Sequence, residues 1–327
     1  MARSRILFRY LPRAMKAAVY ERYGPPDVIS IRDVDPPSVG EHDVLVRVRA
    51  AGVGAGDWHL LNATWLAVRL YQGLRRPKRP VLGHDVAGVV ERVGAKVERL
   101  RPGDEVFGIS DGAGCFAELA SVPAKGLVEK PANTSFEEAA CVAVSGLTAL
   151  QGLRDKGGIR AGQEVLVNGA SGGVGSFAVQ LANGFGATVT GVASGPKLDL
   201  VRELGAHHTI DYRLMDFADR VGAYDLILDN VGDLAVEDCV RALRPGGRYV
   251  AVSGAPSRGL GIALFGGRRA VAFVSRADPT DLELLRDLLA RGELRVPLDR
   301  TFPLADAADA LRYFGSGRAR GKIALVP

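Results

Sequence analysis

Cysteine is scarce in this chain of 327 residues, which contains only three cysteines. Cys115, Cys141 and Cys239 lie far apart and show no paired spacing, which excludes a disulfide framework and a four-cysteine zinc lobe. Isolated cysteines of this kind are typical of small buried residues in a reducing compartment. We therefore expect a cytoplasmic protein.

Acidic residues are missing from the first fourteen positions, where four arginines stand instead: Arg3, Arg5, Arg9 and Arg13. The formal net charge is +5 and falls to +1 without these four residues. The basicity therefore belongs mostly to an extension over residues 1–14, and it gives little support for nucleic-acid binding. The extension resembles an arginine-rich organelle presequence, but we favour a disordered tail or an upstream start codon with Met15 as the working start.

Charged side chains are also absent from the whole segment between Val165 and Pro196. A membrane span is one explanation for such a segment, but its many glycines, together with Asn168, Gln180 and Asn183, fit a span poorly. Strands that are buried on both faces of a parallel sheet give the same uncharged pattern. We therefore expect no membrane partner and interpret the segment as the centre of a parallel sheet.

A glycine-rich turn lies inside the uncharged segment. A short apolar strand, Glu164 to Val167, precedes the turn, and helical spacing from Ser176 to Phe185 follows it. Glycines let the backbone turn tightly and approach a pyrophosphate, whose charge then meets the free N–H groups of the helix N-terminus. The order strand, turn and helix predicts a dinucleotide site. Its predicted cofactor-binding residues are Asn168, Gly169, Ala170, Ser171, Gly172, Gly173, Val174 and Gly175.

The rest of the chain divides into two kinds of pattern. Up to Pro131, short strands separated by glycine and proline are typical of a small all-β, barrel-like lobe. A helix is then predicted over Phe136 to Leu150, followed by six strands that alternate with helices as in a doubly wound sheet. The predicted sheet strands are Glu164 to Val167, Thr188 to Val192, His208 to Ile210, Leu226 to Asp229, Arg248 to Val252 and Ala270 to Val274. The fold class is therefore α/β.

Several separate motifs resemble those of the medium-chain dehydrogenase/reductase superfamily, in its zinc-independent quinone oxidoreductase (zeta-crystallin-like) branch. The motifs are Gly83 to Gly88 with Val93-Gly94, Arg101 to Val106, Gly162 to Gln180, and Arg320-Gly321-Lys322. The resemblance covers about Met15 to Pro327 and departs at Asn183, where the branch more often has Lys, Arg or Ser. It implies a GroES-like β-barrel catalytic lobe, a Rossmann lobe and an active-site cleft between them.

The resemblance also implies domain boundaries and an oligomeric state. We expect an N-terminal extension at 1–14, a GroES-like catalytic domain at 15–135 and a Rossmann NADP-binding domain at 136–275. Residues 276–327 are expected to return to the catalytic domain. The family further implies a homodimer.

Zinc-dependent relatives hold their catalytic metal at three positions that correspond here to Gly54, His84 and Val144. Only the histidine can bind a metal, and one ligand cannot build a three-ligand catalytic site. We therefore predict no metal. His84 then either lines the cleft or serves a structural role beside its glycine turn.

The choice of cofactor depends on the end of the second Rossmann strand, where an acidic residue would bind the ribose of NAD. Here that strand is followed by Ser194 and Lys197, and the nearest acid, Asp199, lies inside the next helix. A hydroxyl and an ammonium group suit a 2′-phosphate, so we predict NADPH. The alternative is that Lys197 only begins a solvated helix. Lys322 is a further predicted cofactor residue, with a solvated lysine as its alternative.

The predicted catalytic residues follow the branch's Asn-x-x-Asp motif, in which the asparagine is replaced here by Gly54. Asp57, Trp58 and His59 are the expected cleft residues, and Tyr71 is a further candidate donor. The alternatives are that Asp57 caps a helix, Trp58 belongs to the core and His59 is solvated. A nearby basic cluster either steers anions towards the cleft or is a solvated face. It consists of Arg69, Arg75, Arg76, Lys78 and Arg79.

These expectations combine into one functional hypothesis, in which NADPH transfers hydride to a small-molecule quinone or α,β-unsaturated carbonyl without zinc. An NADP-dependent alcohol/aldehyde dehydrogenase is the alternative enzyme. A non-catalytic NADP(H)-binding sensor is the alternative from a different class of protein.

Overall fold

The structure is a computed structural model that describes residues 14–63, 66–252 and 256–327. Except for Ala14, the predicted extension over residues 1–14 therefore lies outside the described residues. None of the helices in the described residues has the length and apolar character needed to cross a membrane.

The N-terminal lobe is built from short strands and two short helices. Its elements are β1 (Met15–Tyr20), β2 (Ile29–Val34), β3 (Asp43–Val53), α1 (Ala55–Asn62), α2 (Leu66–Gln72), β4 (Asp85–Val93), β5 (Glu105–Ile109), β6 (Leu119–Pro123) and β7 (Leu127–Glu129). β1 and β2 form an antiparallel pair. β3 pairs with both β4 and β6, and the sheet continues from β4 through β5 to β7. This arrangement agrees with the all-β lobe that the alternating strand pattern predicts.

The second lobe is a parallel sheet with helices between its strands. Its elements are α3 (Phe136–Ala139), α4 (Ala143–Gln151), β8 (Glu164–Asn168), α5 (Gly173–Gly184), β9 (Thr188–Ala193), α6 (Leu198–Glu203), β10 (His208–Asp211), β11 (Tyr224–Asp229), α7 (Val236–Arg241), β12 (Leu243–Ala251), α8 (Pro256–Gly261) and β13 (Ala270–Ala272). The strand order is β10-β9-β8-β11-β12-β13. This is the doubly wound Rossmann order, so the predicted fold class is confirmed.

The single helix predicted over Phe136 to Leu150 is wrong in one respect, because the chain forms two helices there. α3 ends at Ala139, and α4 begins at Ala143. The start of α4 is fixed from outside the segment, since the buried Asp85 carboxylate accepts a hydrogen bond from the backbone N–H of Val144 at 2.7 Å. A side chain from another part of the chain thus determines this boundary, and local helical spacing does not reveal it.

The C-terminal residues return to the sheet of the first lobe. Their elements are α9 (Pro279–Ala290), β14 (Leu298–Pro303), α10 (Ala307–Gly315) and β15 (Lys322–Val326). β15 pairs antiparallel with β3, with Ile323 opposite Val53, and β14 pairs parallel with β15. Leu304 and Leu311 are buried in the same apolar core as Val46 and Val86 of the first lobe. The end of the chain is therefore part of the first lobe's core.

Candidate active site

The glycine-rich turn connects the end of β8 to the start of α5. Gly169 has φ +72, a backbone conformation that side chains other than glycine rarely adopt. A Cβ on Gly175 would lie 2.1 Å from the Gly169 carbonyl oxygen, so α5 packs directly on the turn. The first N–H groups of a helix have no intrahelical partner and form a ready site for a phosphate. The turn therefore has the shape and polarity that a dinucleotide pyrophosphate requires.

The side chain of Asn168 fixes the end of β8 from inside the protein. Its Nδ2 donates to Asp229 Oδ1 at 2.9 Å and to Asp233 Oδ1 at 3.2 Å. The Tyr249 hydroxyl donates to the other Asp229 oxygen at 2.6 Å. Asn168, Asp229 and Tyr249 are all buried. This network ties β8 to β11 and β12, so the Asn168 side chain holds the turn in place.

The C-terminal motif docks on the same turn. The backbone N–H of Gly321 donates to the Ser171 carbonyl oxygen at 2.9 Å. The Lys322 ammonium donates to Ser145 Oγ at 2.9 Å and would lie 3.7 Å from a Cβ placed on Gly173. Lys322 is only 2% exposed, so the alternative that it is a solvated lysine is wrong. The structure brings Lys322 to the predicted cofactor turn.

A buried carboxylate accompanies this lysine. Asp85 Oδ2 lies 3.8 Å from Lys322 Nζ, and both side chains are buried. Burial raises the pKa of Asp85 to about 6, although the Lys322 charge and the Val144 N–H partly offset that effect. Sequence reasoning did not assign Asp85 or Ser145 to the site. Asp85 stands inside the quoted Gly83 to Gly88 motif, whereas no sequence signal marks Ser145.

Asp57 is buried at the start of α1 and faces inward. Its Oδ2 accepts from the Gly54 N–H at 3.0 Å, as a helix-capping residue does. Its Oδ1 accepts from the Gly83 N–H at 3.1 Å and lies 3.0 Å from His84 Nδ1. Asp57 therefore joins α1 to the loop before β4, which supports the capping alternative for this residue.

His84 presents its other ring nitrogen away from Asp57. The side chain is 22% exposed, whereas the Asp57 carboxylate at Nδ1 is only 4% exposed. Nε2 has no hydrogen-bond partner among the described residues. Burial lowers the pKa of His84, but the hydrogen bond and charge of Asp57, with Asp85 and Asp111, outweigh burial and raise it above its usual value. The His84 side chain is thus partly exposed, and its imidazole is more readily protonated than a free one.

The three positions that we expect to correspond to zinc ligands lie in the hydrogen-bond network next to this pair. The Gly54 N–H donates a hydrogen bond to Asp57, which in turn contacts His84 Nδ1. The Val144 N–H donates to Asp85, the residue after the histidine. In the described part of the chain, no group of three or more His, Cys, Asp or Glu residues is arranged to hold a metal ion. The donor set at these positions contains one histidine and two residues without a ligating side chain.

The remaining predicted catalytic residues each have contacts of their own. Trp58 packs against Phe314 of α10, with ring centroids 6.4 Å apart, and contributes to the core of the first lobe. His59 is partly buried, and this burial lowers its pKa. Tyr71 is 60% exposed and donates to the Asp111 carbonyl oxygen at 3.4 Å. The core alternative thus describes the position of Trp58 better than the cleft hypothesis does.

A second group of polar residues surrounds the end of β9. Ser194 is buried there, and Lys197 Nζ donates to the carbonyl oxygens of Gly317 and Ala319, each at 2.7 Å. Burial lowers the pKa of Lys197, and the charges of Arg320 and Arg213 lower it further against an opposing effect of Asp299. Sequence reasoning missed both arginines, which stand far from Lys197 along the chain.

The Rossmann sheet carries the glycine turn, and a second, mostly β lobe contacts that turn. This combination is typical of a dinucleotide-binding oxidoreductase. Residues 40–132 match the family described as alcohol dehydrogenase GroES-like domain, and residues 204–325 match the one described as zinc-binding dehydrogenase. The chain is 34% identical to a 2-methylene-furan-3-one reductase of Solanum lycopersicum, over 97% of this chain and 80% of that protein. It is also 34% identical to the chloroplastic NADPH-dependent alkenal/one oxidoreductase of Arabidopsis thaliana, over 97% of this chain and 81% of that protein.

A solved structure gives the same result for the fold. The quinone oxidoreductase from Coxiella burnetii superposes with a TM-score of 0.89 at 30% identity, over 96% of this chain and 99% of that one. The chain belongs to the medium-chain dehydrogenase/reductase superfamily, in its quinone oxidoreductase branch. It is an NAD(P)-binding oxidoreductase of the medium-chain type.

Proposed function

We propose that this protein is an NADPH-dependent reductase of quinones or α,β-unsaturated carbonyls that works without zinc. The observation that carries the proposal is the hydrogen-bonded set Gly54, Asp57 and His84. At the positions where zinc-dependent relatives hold a metal, the remaining histidine is bound to a buried carboxylate. An acceptor with a conjugated carbonyl needs less electrophilic help than a simple aldehyde, and the relatives' names describe acceptors of that kind.

NADPH is favoured by the charges around the end of β9. No acidic residue stands between Ala193 and Lys197, and the positive charges of Arg213 and Arg320 act on Lys197. A bound 2′-phosphate would relieve the repulsion among these cations and form charge-assisted hydrogen bonds with them. Asp211 opposes this effect, because its Oδ2 would lie 2.6 Å from a Cβ on Gly195. The Arabidopsis relative is described as NADPH-dependent, which agrees with the balance of charges.

Each part of the site then has a role in the proposed reaction. The residues from Gly169 to Gly175 bind the pyrophosphate, and Lys322 holds the turn in place through its contacts beside Gly173. When bound, the reduced nicotinamide supplies a hydride to the acceptor. The acceptor gains one proton besides the hydride, and His84 Nε2 is the group we assign to supply it, with Asp57 holding the ring at Nδ1. Asp57 is therefore a positioning residue in this proposal.

The test follows NADPH and NADH absorbance in chelator-treated protein with a quinone, an enone and a simple aldehyde in parallel. We expect oxidation of NADPH with the first two acceptors. Activity confined to the aldehyde and restored only by zinc would favour the alcohol/aldehyde dehydrogenase. Cofactor binding without turnover of any acceptor would favour the sensor.

Two variants test the residue assignments within this assay. Lys197→Ala should raise KM for NADPH about tenfold or more and leave KM for NADH unchanged, since only NADPH has the 2′-phosphate. Lys125→Ala, at an exposed lysine of the first lobe, is the control. His84→Gln should lower kcat about 100-fold with an unchanged KM for NADPH, while His42→Gln at an exposed histidine should not.

A further inference from the structure

A surface of the first lobe combines exposed leucines with cations. Leu66 and Leu70 lie one helical turn apart on α2 and are 66% and 63% exposed. Leu74, just after the helix, is 59% exposed. Four exposed cations follow in the next five positions: Arg75, Arg76, Lys78 and Arg79. We call these seven residues the apolar-basic surface.

The loop that presents this surface is fixed at its base. Gln72 is buried and donates to the Tyr20 hydroxyl at 3.1 Å and to the Arg79 carbonyl oxygen at 3.0 Å. The Gln72 carbonyl oxygen in turn accepts from the Lys78 N–H at 2.6 Å. The Tyr23 hydroxyl donates to the Gly73 carbonyl oxygen at 2.6 Å. These hydrogen bonds fix both ends of the loop between Gln72 and Arg79. Leu74, Arg75 and Arg76 lie between the fixed ends and are exposed.

The cations of the surface lack acidic partners. None of the four forms an ion pair with a described carboxylate, and the chain has no acidic residue between Trp58 and His84. Arginines elsewhere are often neutralised, as in the pairs Arg32–Glu21 and Arg312–Asp27. Arg69, which the sequence places in the same cluster, instead turns inward over the Tyr23 ring. The surface therefore carries a local positive charge beside exposed apolar side chains.

We propose that the apolar-basic surface docks this protein on an anionic lipid bilayer. Cations attract acidic headgroups, and neighbouring leucines can enter the boundary between headgroups and acyl chains, as in interfacial amphipathic segments. A small soluble anion would use the cations and leave the three leucines without a role. An acidic protein is less favoured, because three leucines, each about 60% exposed or more, stand beside the cations and suit the acyl boundary of a bilayer better than acidic side chains. The proposal departs from the sequence-based expectation of no membrane partner.

The position of the surface connects it to the site. Tyr71, between Leu70 and Leu74, donates to the Asp111 carbonyl oxygen at 3.4 Å. The neighbouring Ser110 N–H donates to the His84 carbonyl oxygen at 2.8 Å. Docking would therefore bring the neighbourhood of His84 close to the bilayer, where lipophilic acceptors dissolve. This consequence rests on the proposed acceptor class, whereas docking itself does not.

The experiment measures co-sedimentation of the full-length protein, with NADPH present, with phosphatidylcholine vesicles and with vesicles that also contain phosphatidylglycerol. We expect binding to the anionic vesicles only, weakened by salt. Arg75→Glu with Arg76→Glu should lower the partition coefficient by at least about 25-fold, since each lost cation near an anionic surface contributes about fivefold. Leu70→Ser with Leu74→Ser should lower it about tenfold or more.

Matched controls separate the surface from other parts of the chain. Arg101→Glu with Lys125→Glu changes the same charge at two other exposed residues, and Leu214→Ser changes a leucine that is 87% exposed. Both should bind as the wild type does. A full-length variant with alanine at Arg3, Arg5, Arg9 and Arg13 tests the extension. Equal binding to neutral vesicles, no binding to either kind, or loss only in the extension variant would overturn the proposal. Unchanged thermal unfolding shows that each variant is folded.

Discussion

At the scale of single residues, the site depends on buried carboxylates whose hydrogen bonds are filled by the protein. Asp57 uses both oxygens, one for Gly54 and one for Gly83 and His84. Substitution of such a group lowers the free energy of unfolding, because an unpaired buried donor destabilises the protein by more than a hydrogen bond stabilises it. Asp57 therefore holds three parts of the first lobe in register around His84.

We expect Asp57→Asn to lower the free energy of unfolding by about 1–3 kcal/mol, because one carbonyl oxygen replaces two acceptors. The pKa of His84 should also fall, since the Asp57 charge and hydrogen bond raise it. Urea denaturation measures the first effect and an NMR titration of the imidazole the second. Asp111→Asn, at an exposed aspartate, is the control for stability. Wild-type stability in Asp57→Asn would contradict this role.

Asp85 makes stability depend on pH with a definite sign. Its pKa is raised from 3.8 to about 6 in the folded protein, chiefly by burial. The folded state therefore favours the protonated carboxyl, so the contribution of Asp85 is fully present below about pH 4 and is lost as pH rises through about 6. The charged groups that face it are Lys322, His84 and Asp57.

The measurement compares wild type with Asp85→Asn, which keeps an acceptor for the Val144 N–H. The free energy of unfolding of wild type minus that of the variant should fall between about pH 4 and about pH 6, by on the order of 3 kcal/mol. A difference that instead rises with pH would mean that attraction between Asp85 and Lys322 dominates over burial.

At the scale of elements, the start of α5 leaves no room for a side chain at Gly175. The helix packs so closely on the glycine turn that a Cβ at Gly175 would collide with the Gly169 carbonyl oxygen. The last residue of the same helix, Gly184, has nothing within 4 Å of a Cβ. One helix thus offers a forbidden and a permitted position for the same substitution.

We expect Gly175→Ala to destabilise the protein and to weaken cofactor binding about tenfold or more, because the turn must open to admit the methyl group. Gly184→Ala should be neutral or stabilising by up to about 1 kcal/mol, since alanine is the better helix former. Thermal unfolding and NADPH titration by fluorescence measure the two quantities. Equal thermal stability and equal NADPH affinity of the two variants would contradict close packing at Gly175.

At the scale of the whole molecule, the C-terminal residues join the two lobes. β15 extends the sheet of the first lobe, while Gly321 and Lys322 contact the turn and helix of the second. Cofactor binding and lobe arrangement are therefore linked through one short segment. The opposite end of the Rossmann sheet is different, because β13 is an edge strand with Val274 88% exposed just beyond it.

We expect this edge to pair with a second copy, in line with the homodimer that the family resemblance implies. Leu264 and Phe265, beside the same edge, are 65% and 54% exposed. Light scattering after size exclusion should give twice the 34.6 kDa chain mass, and Val274→Glu should give the monomer. Val221→Glu, at a valine 67% exposed elsewhere, should remain dimeric. A monomeric wild type would contradict the expectation.

Much of the fold could be predicted because its signals are local. The glycine turn and the six sheet strands each follow from neighbouring residues, and the structure has them within a few positions of the prediction. The break between α3 and α4 could not be predicted, since Asp85 determines it from another part of the chain. Trp58 is a related case, because its aromatic packing partner lies far along the chain in α10.

The sequence by itself determined the fold class and the position of the dinucleotide turn, because hydrophobic period and glycine spacing act within one element. Only the tertiary structure decided what surrounds that turn. Lys322 reaches Ser145 across 177 positions, and Asp57 reaches His84 across 27. The first pairing depends on how the two lobes meet and the second on how the first lobe folds, and in both cases folding buries a charged group beside a polar partner.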